Sequence, residues 1–190
     1  ATNRDEFARK NFETAFILTV PRGMSVRVVN SYGIVRIDGV AAATVRNSHG
    51  EVFATDIRGA CAIETSYDDV EVQRIAGECR VTDRNGDVRA GAIGGDLWIE
   101  TSYAEVDVDD AHGKADIRGS NVDVDARRVA GAVTVDPSYE NVYLADVGPA
   151  EITARNTAVT AEDVRGDLKV ETSYAPVQCD RIQGNLLVSA

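Results

Sequence analysis

Five carboxylates, Glu51, Asp69, Asp87, Glu105 and Asp123, recur at steps of 18 residues, and Asn141 continues the series. If each step is one turn of a coiled backbone, neighbouring acids lie roughly 5 Å apart, where like charges repel. That arrangement invites a compensating cation such as Ca²⁺, or arginines from flanking positions. The opposing reading is a solvated acidic edge that resists edge-on aggregation. No Asp-Gly or Asn-Gly calcium-loop spacing accompanies the series.

A second series is aromatic. Ser-Tyr pairs place Tyr32, Tyr67, Tyr103, Tyr139 and Tyr174 at intervals of 35 or 36 residues, while His49, Asn85, Asn121 and Asn156 stand at the half-way register. Rings about 10 Å apart, two strand spacings, suit stacking against a glycan or a partner chain. They suit corner packing equally, with Asn accepting the left-handed conformation in alternate turns. Counting back from Val70 points Tyr67 outward, and counting forward from Ile63 points it inward. A bend therefore lies between them, and both readings stand.

Other candidates are weaker. Arg165-Gly166-Asp167 spells an integrin-recognition tripeptide, but Gly166 falls in a series of register-bound glycines. Cys61 and Cys79 share one inward register in adjacent turns and read as two core thiols poorly oriented for a disulfide, while Cys179 lies elsewhere. Three cysteines and two histidines, His49 and His112, offer no paired metal-ligand spacing.

These residues are positioned by one repeat. Val35, Val52, Val70, Val88, Val106, Val124, Val142, Val159 and Val177 form an inward column at steps of 17 or 18. Two residues later, Ile37, Ala54, Val72, Ala90, Val108, Ala126, Leu144 and Ala161 alternate large with small, with Cys179 the small-sized departure, so stacked layers interdigitate. A third column runs from Val40 through Ile57, Ile75 and Ile93 to Ile182, and glycine follows it at Gly59, Gly77, Gly95, Gly113, Gly131, Gly166 and Gly184. A glycine fixed at one register marks a positive φ or a close backbone approach.

Such columns predict an all-β fold: a single-stranded parallel β-helix, or β-solenoid, of about nine coils, each of about 18 residues, paired into repeats of about 36. Residues 1–30 form a lead-in and capping rung, and residues 31–190 form the solenoid, within one domain. A β-sandwich is the alternative, although it does not explain one column persisting through nine passes. The hexapeptide form of left-handed helix fails, because positions 70, 76, 82 and 88 read Val, Ala, Thr and Val.

The net charge of −11 argues against nucleic acid and anionic lipid as partners. No stretch is long and apolar enough for a membrane span, and no signal peptide is visible. The chain stops on Leu186-Leu187-Val188-Ser189-Ala190, so a protein partner or self-association is expected to cover residues 173–190.

With these columns laid out, the chain resembles a bacterial adhesin-type family of domains of unknown function with toast-rack-like β-repeats. The resemblance rests on Leu18-Thr19-Val20-Pro21-Arg22-Gly23, on Asn30-Ser31-Tyr32-Gly33-Ile34-Val35, and on repeated units clearest at Asn85-Gly86-Asp87-Val88. It covers roughly residues 12–190, and the tyrosine in alternate coils departs from the Gly-flanked turn usual there. The resemblance implies a right-handed β-helix, an extracytoplasmic setting and no catalytic residues or cofactor.

The expected function is a non-catalytic binding or scaffold module of the cell envelope, as an accessory subunit of a larger assembly. The competing class is a polysaccharide-active, pectinase-like β-helix. That chemistry needs paired carboxylates in a cleft, whereas every outward acid here has repeat-related siblings and no long loop interrupts the coils.

Overall fold

A computed structural model describes residues 20–189. The Phe7, Phe12 and Phe16–Thr19 part of the lead-in lies outside the described residues. Strand elements occur in chain order as β1 (Ser25–Val29), β2 (Val35–Asp38), β3 (Ala42–Arg46), β4 (Val52–Ile57), β5 (Cys61–Glu64), β6 (Val70–Ile75), β7 (Cys79–Thr82) and β8 (Val88–Ile93). They continue as β9 (Leu97–Ala111), β10 (Ala115–Val129), β11 (Val133–Asp136), β12 (Asn141–Val147), β13 (Ala150–Thr153), β14 (Ala158–Val164), β15 (Leu168–Glu171), β16 (Val177–Ile182) and β17 (Leu186–Ser189).

Every strand pairing is parallel and joins one coil to the next, as in Val52↔Val70 and Val70↔Val88. This is a β-solenoid of about nine turns, and the sandwich alternative is excluded. Two stacked ladders form its faces. One runs from β1 through β3, β5 and β7 to β17, and the other from β2 through β4, β6 and β8 to β16. The long strands β9 and β10 belong to both, because each passes from one face to the other without a break.

The period-two pattern decides what faces in. Within β4, Val52, Ala54 and Ile57 are buried and the residues between them are not. The large–small alternation is realised coil by coil, with Ile37 over Ala54, Val72 over Ala90 and Leu144 over Ala161. A single apolar column therefore fills the narrow space between the faces, and Ile57, Ile75 and Ile93 close it at one corner.

That corner separates two demands the sequence places on one glycine. The left-handed conformation belongs to Asp56, Arg74, Ala92, Asp110, Arg128, Asp146, Asp163 and Arg181, three residues ahead of most of the glycines. The glycines themselves answer to close approach. A Cβ on Gly77 would lie 2.7 Å from the Gly59 carbonyl carbon, and one on Gly95 would lie 2.6 Å from that of Gly77. Where the repeat loses a residue, Gly148 takes over the contact with Gly131.

Opposite charges are stacked on the left-handed column. Arg74 donates from Nε and Nη2 to Asp56 at 2.7 and 2.9 Å, and Arg181 does the same to Asp163 at 2.6 and 2.8 Å. These fork-to-carboxylate pairs hold successive coils in register, while their exposure limits each to a small stabilisation.

Candidate functional site

At the other corner all five tyrosines of the series face solvent, from Tyr67 at 54% exposed to Tyr174 at 97%. The bend that the parity clash demanded takes a specific form in the second half of the stack. Tyr103, Asn121, Tyr139, Asn156 and Tyr174 all have φ between 52° and 65°. One left-handed residue reverses the side-chain alternation, so the ring turns out although the strand on either side points its apolar residues in. That conformation costs about 1–2 kcal/mol in a residue with a Cβ. Main-chain bonds between coils hold it, including Tyr139 N–H to Arg155 O at 2.9 Å.

The first half uses a different turn. Here Gly33 and Gly50, one residue later, carry the positive φ. Tyr32, His49 and Tyr67 stack on one another, with ring centroids 4.8 and 4.9 Å apart and planes within 17°. The aromatic edge is thus a closed stack in the early coils and a row of separated rings from Tyr67 onward.

Beside the later tyrosines lies a groove of about 770 Å³. Its lining includes the hydroxyls of Ser120, Ser138, Thr153 and Ser173, with Arg155 and Glu171 at its sides. Tyr139 and Tyr174 directly follow Ser138 and Ser173 in the chain. The serines recur with the tyrosines in sequence, and that period was the available signal for the groove. At the inward corner register the groove is lined by Gly119, Pro137, Ala154 and Thr172, where earlier coils carry Thr65, Asp83 and Thr101.

The acid series does something else. Asp69 Oδ1 accepts the N–H of Asp87 at 3.1 Å, and Asp87 Oδ1 accepts that of Glu105 at 2.9 Å. Asp123 Oδ1 accepts both the main-chain and the side-chain N–H of Asn141, at 3.1 and 2.9 Å. Each of these carboxylates is a side-chain acceptor for a corner amide one coil further on. Arginine contributes once, with Arg89 Nη2 3.9 Å from Asp87. Among the described residues, no group of three or more His, Cys, Asp or Glu side chains gathers as a metal site.

The same device recurs at the glycine corner and accounts for the Arg165-Gly166-Asp167 tripeptide. Asp167 Oδ1 accepts the main-chain N–H of Asn185 at 2.8 Å, and Arg165 Nη2 donates to the carbonyls of Val129 and Asp146, both at 3.1 Å. Both charged ends are engaged within the coil stack. Cys61 and Cys79 face each other in register as buried free thiols. Hydrogen bonding to Cys61 and burial push the Cys79 thiol well above its ordinary value.

One buried polar series was not anticipated. Asn47, Thr65, Asp83 and Thr101 occupy successive coils at the inward corner register, and each is buried. Asp83 is the only acid among them. Burial pushes its carboxyl up to about 6, while the amides of Arg84 and Asn85 pull it down without reaching hydrogen-bonding geometry.

No family model, curated protein or solved structure matches the chain. The candidate site therefore stands on its geometry: an exposed aromatic edge, a hydroxyl-lined groove beside it, and a buried polar corner behind its first half.

Proposed function

We propose that the chain is a non-catalytic binding and scaffold module of the bacterial cell envelope that holds an extended glycan along its tyrosine corner. The observation that carries this reading is the exposure of all five rings on one edge, next to a groove lined by hydroxyl groups. Aromatic faces bind the apolar faces of sugar rings, and hydroxyl and charged side chains take up their hydroxyls. The open, shallow form suits a long chain lying across several coils. The net charge of −11 favours a neutral glycan over a polyanionic one such as pectin. The envelope setting and the adhesin-like role follow from the family resemblance alone.

Affinity electrophoresis of the purified chain through gels containing neutral or acidic polysaccharides tests the proposal. Retardation by a neutral glycan is expected, reduced at least several-fold by Tyr139→Ala and Tyr174→Ala. Mobility unchanged in every gel would remove the glycan. Reproducible cleavage of any polysaccharide by pure protein would move the chain to the polysaccharide-active class.

A protein contact at residues 173–190 is the second part of the proposal. Leu186, Leu187 and Val188 are 50%, 60% and 41% exposed, and β17 pairs only with β15 among the described residues. A second copy of the chain is the occupant we favour, because it carries parallel strands of the spacing that the unpaired edge of β17 presents. Sedimentation at rising concentration should show a dimer that Leu187→Asp abolishes, and a monomer throughout would count against it.

A further inference from the structure

The buried corner column behind the stacked rings carries oxygens that the protein itself does not satisfy. Asn47 Oδ1, Thr65 Oγ1 and both carboxylate oxygens of Asp83 are buried and lack a hydrogen-bond partner among the protein's groups. Buried polar atoms are nearly always paired, so four orphans in three consecutive coils are a pattern to be explained. Thr101, the next in the column, marks where it ends, because its Oγ1 donates to the Gly86 carbonyl at 3.4 Å.

Electrostatics sharpen the case. Asp83 is 3% exposed, and the charges that act on it are the carboxylates of Asp69 and Asp68, both unfavourable. A buried carboxylate in that setting is stabilised by gaining a proton or by gaining a cation.

Spacing then says which kind of cation. The strands bearing these residues pair in parallel through Arg46, Glu64, Thr82 and Glu100, so their side chains stack at the strand separation. Levels one coil apart are about 4.8 Å apart, so side chains stacked at that spacing are too far for a direct hydrogen bond and leave room for an ion between them. The point midway between them is about 2.4 Å from each, inside the 2.3–2.6 Å range of Ca²⁺–oxygen bonds and longer than Mg²⁺ accepts. All the donors are oxygens, a carboxylate, a hydroxyl and an amide carbonyl, as a hard cation requires.

We propose that the inward corner formed by Asn47, Thr65 and Asp83 binds a hard cation of the size of Ca²⁺, held between adjacent coils. The site differs from the outward acid series in kind. There Asp69, Asp87 and Asp123 already accept main-chain N–H groups, and here the Asp83 carboxylate has no hydrogen-bond partner. Bound between Thr65 and Asp83, the ion would tie together the adjacent coils that carry Tyr67 and Asn85.

The test is thermal unfolding of the whole chain, stripped with a chelator and then titrated with CaCl₂, MgCl₂ or NaCl at matched ionic strength. Ca²⁺ at millimolar concentration should raise Tm by several degrees, and Mg²⁺ by clearly less. Asp83→Asn should abolish the Ca²⁺ increment, whereas Asp116→Asn, an equal change of charge on the outer face, should keep it. A rise of equal size in Asp83→Asn, or none in the native sequence, would overturn the proposal, the former by assigning the effect to the acidic surface. Should Asp83→Asn fail to fold, calorimetric Ca²⁺ titration of Thr65→Val decides instead. At least tenfold weaker binding than in the native sequence supports the site, and unchanged binding refutes it.

Discussion

The carboxylate of Asp87 accepts the main-chain N–H of Glu105, one coil further on, across 2.9 Å. The same acid therefore terminates one coil and satisfies the corner of the next. This helps a row of like charges persist at a spacing where Coulomb repulsion works against it: at Asp69, Asp87 and Asp123 an N–H dipole of the next coil supplies the opposite sign.

Two replacements at this position separate hydrogen bonding from charge. Asp87→Ala removes the acceptor and leaves the Glu105 amide without it, so it should destabilise by about 1–2 kcal/mol. Asp87→Asn keeps an acceptor oxygen and lowers repulsion along the row, so its urea midpoint should stay close to that of the native sequence. If both lose stability equally, the negative charge itself is needed.

Close approach at the glycine corner predicts a severe steric effect. Gly95→Ala places a methyl group 2.6 Å from the Gly77 carbonyl carbon. With the Gly77–Glu78 main chain in the way and no flexible side chain to move, the loss should be at least about 2 kcal/mol. Gly23, with nothing within 4 Å of the same position, serves as the control, and Gly23→Ala should be near neutral in the same urea titration.

Backbone strain can be measured apart from clash at Gly39, whose φ is +70° and whose added Cβ would meet nothing within 4 Å. Gly39→Ala should cost about 1 kcal/mol in chemical denaturation, the ordinary penalty for a side chain in the left-handed region. The residues at the same register in later coils, Asp56 and Arg74 among them, bear that penalty already. Their paired charges offset part of it.

Asp83 makes stability depend on pH in a definite direction. Its folded-state value of about 6 lies above the ordinary 3.8, so between those values the folded protein holds more proton than the unfolded chain. Stability contributed by this group is present below the lower value and is lost as pH rises through the upper one. The loss is on the order of 3 kcal/mol. Comparing urea midpoints at pH 4 and pH 7.5 in chelator, Asp83→Asn should gain on the native sequence by that amount at the higher pH. Identical pH profiles would place the Asp83 carboxylate in contact with solvent.

Much of the scaffold was legible because stacking imposes the strictest arithmetic a fold can have. A valine at 52, 70, 88 and 106 must face the same way in each coil, so spacing alone predicts both the column and its burial. The corners were less legible, because one left-handed residue reverses the alternation on which such counting depends. The outward turn of Tyr103 and Tyr139 was open for that reason, although the parity clash located the bend. Gly77 and Gly95 gave a true signal of constraint with two possible causes, and only the backbone geometry separated them. The partners of Asp69 and Asp123 were hidden for another reason: main-chain N–H groups leave no trace in composition. Asp83 was within reach, as the one acid in an inward register shared with Asn47, Thr65 and Thr101.

The unbroken strands β9 and β10 bear on how the chain finds its shape. They pair from Leu97↔Ala115 to Ala111↔Val129, skipping only the left-handed positions Tyr103/Asn121 and Asp110/Arg128, a zipper that spans both faces and the corner between them. Every other coil must bring two short strands together across a turn, whereas here a single alignment lays down a complete coil on its neighbour. In a stack whose units touch only the units beside them, the longest uninterrupted pairing is the natural nucleus, and order spreads from it in both directions. Folding should therefore start in the middle of the chain and reach its two ends last.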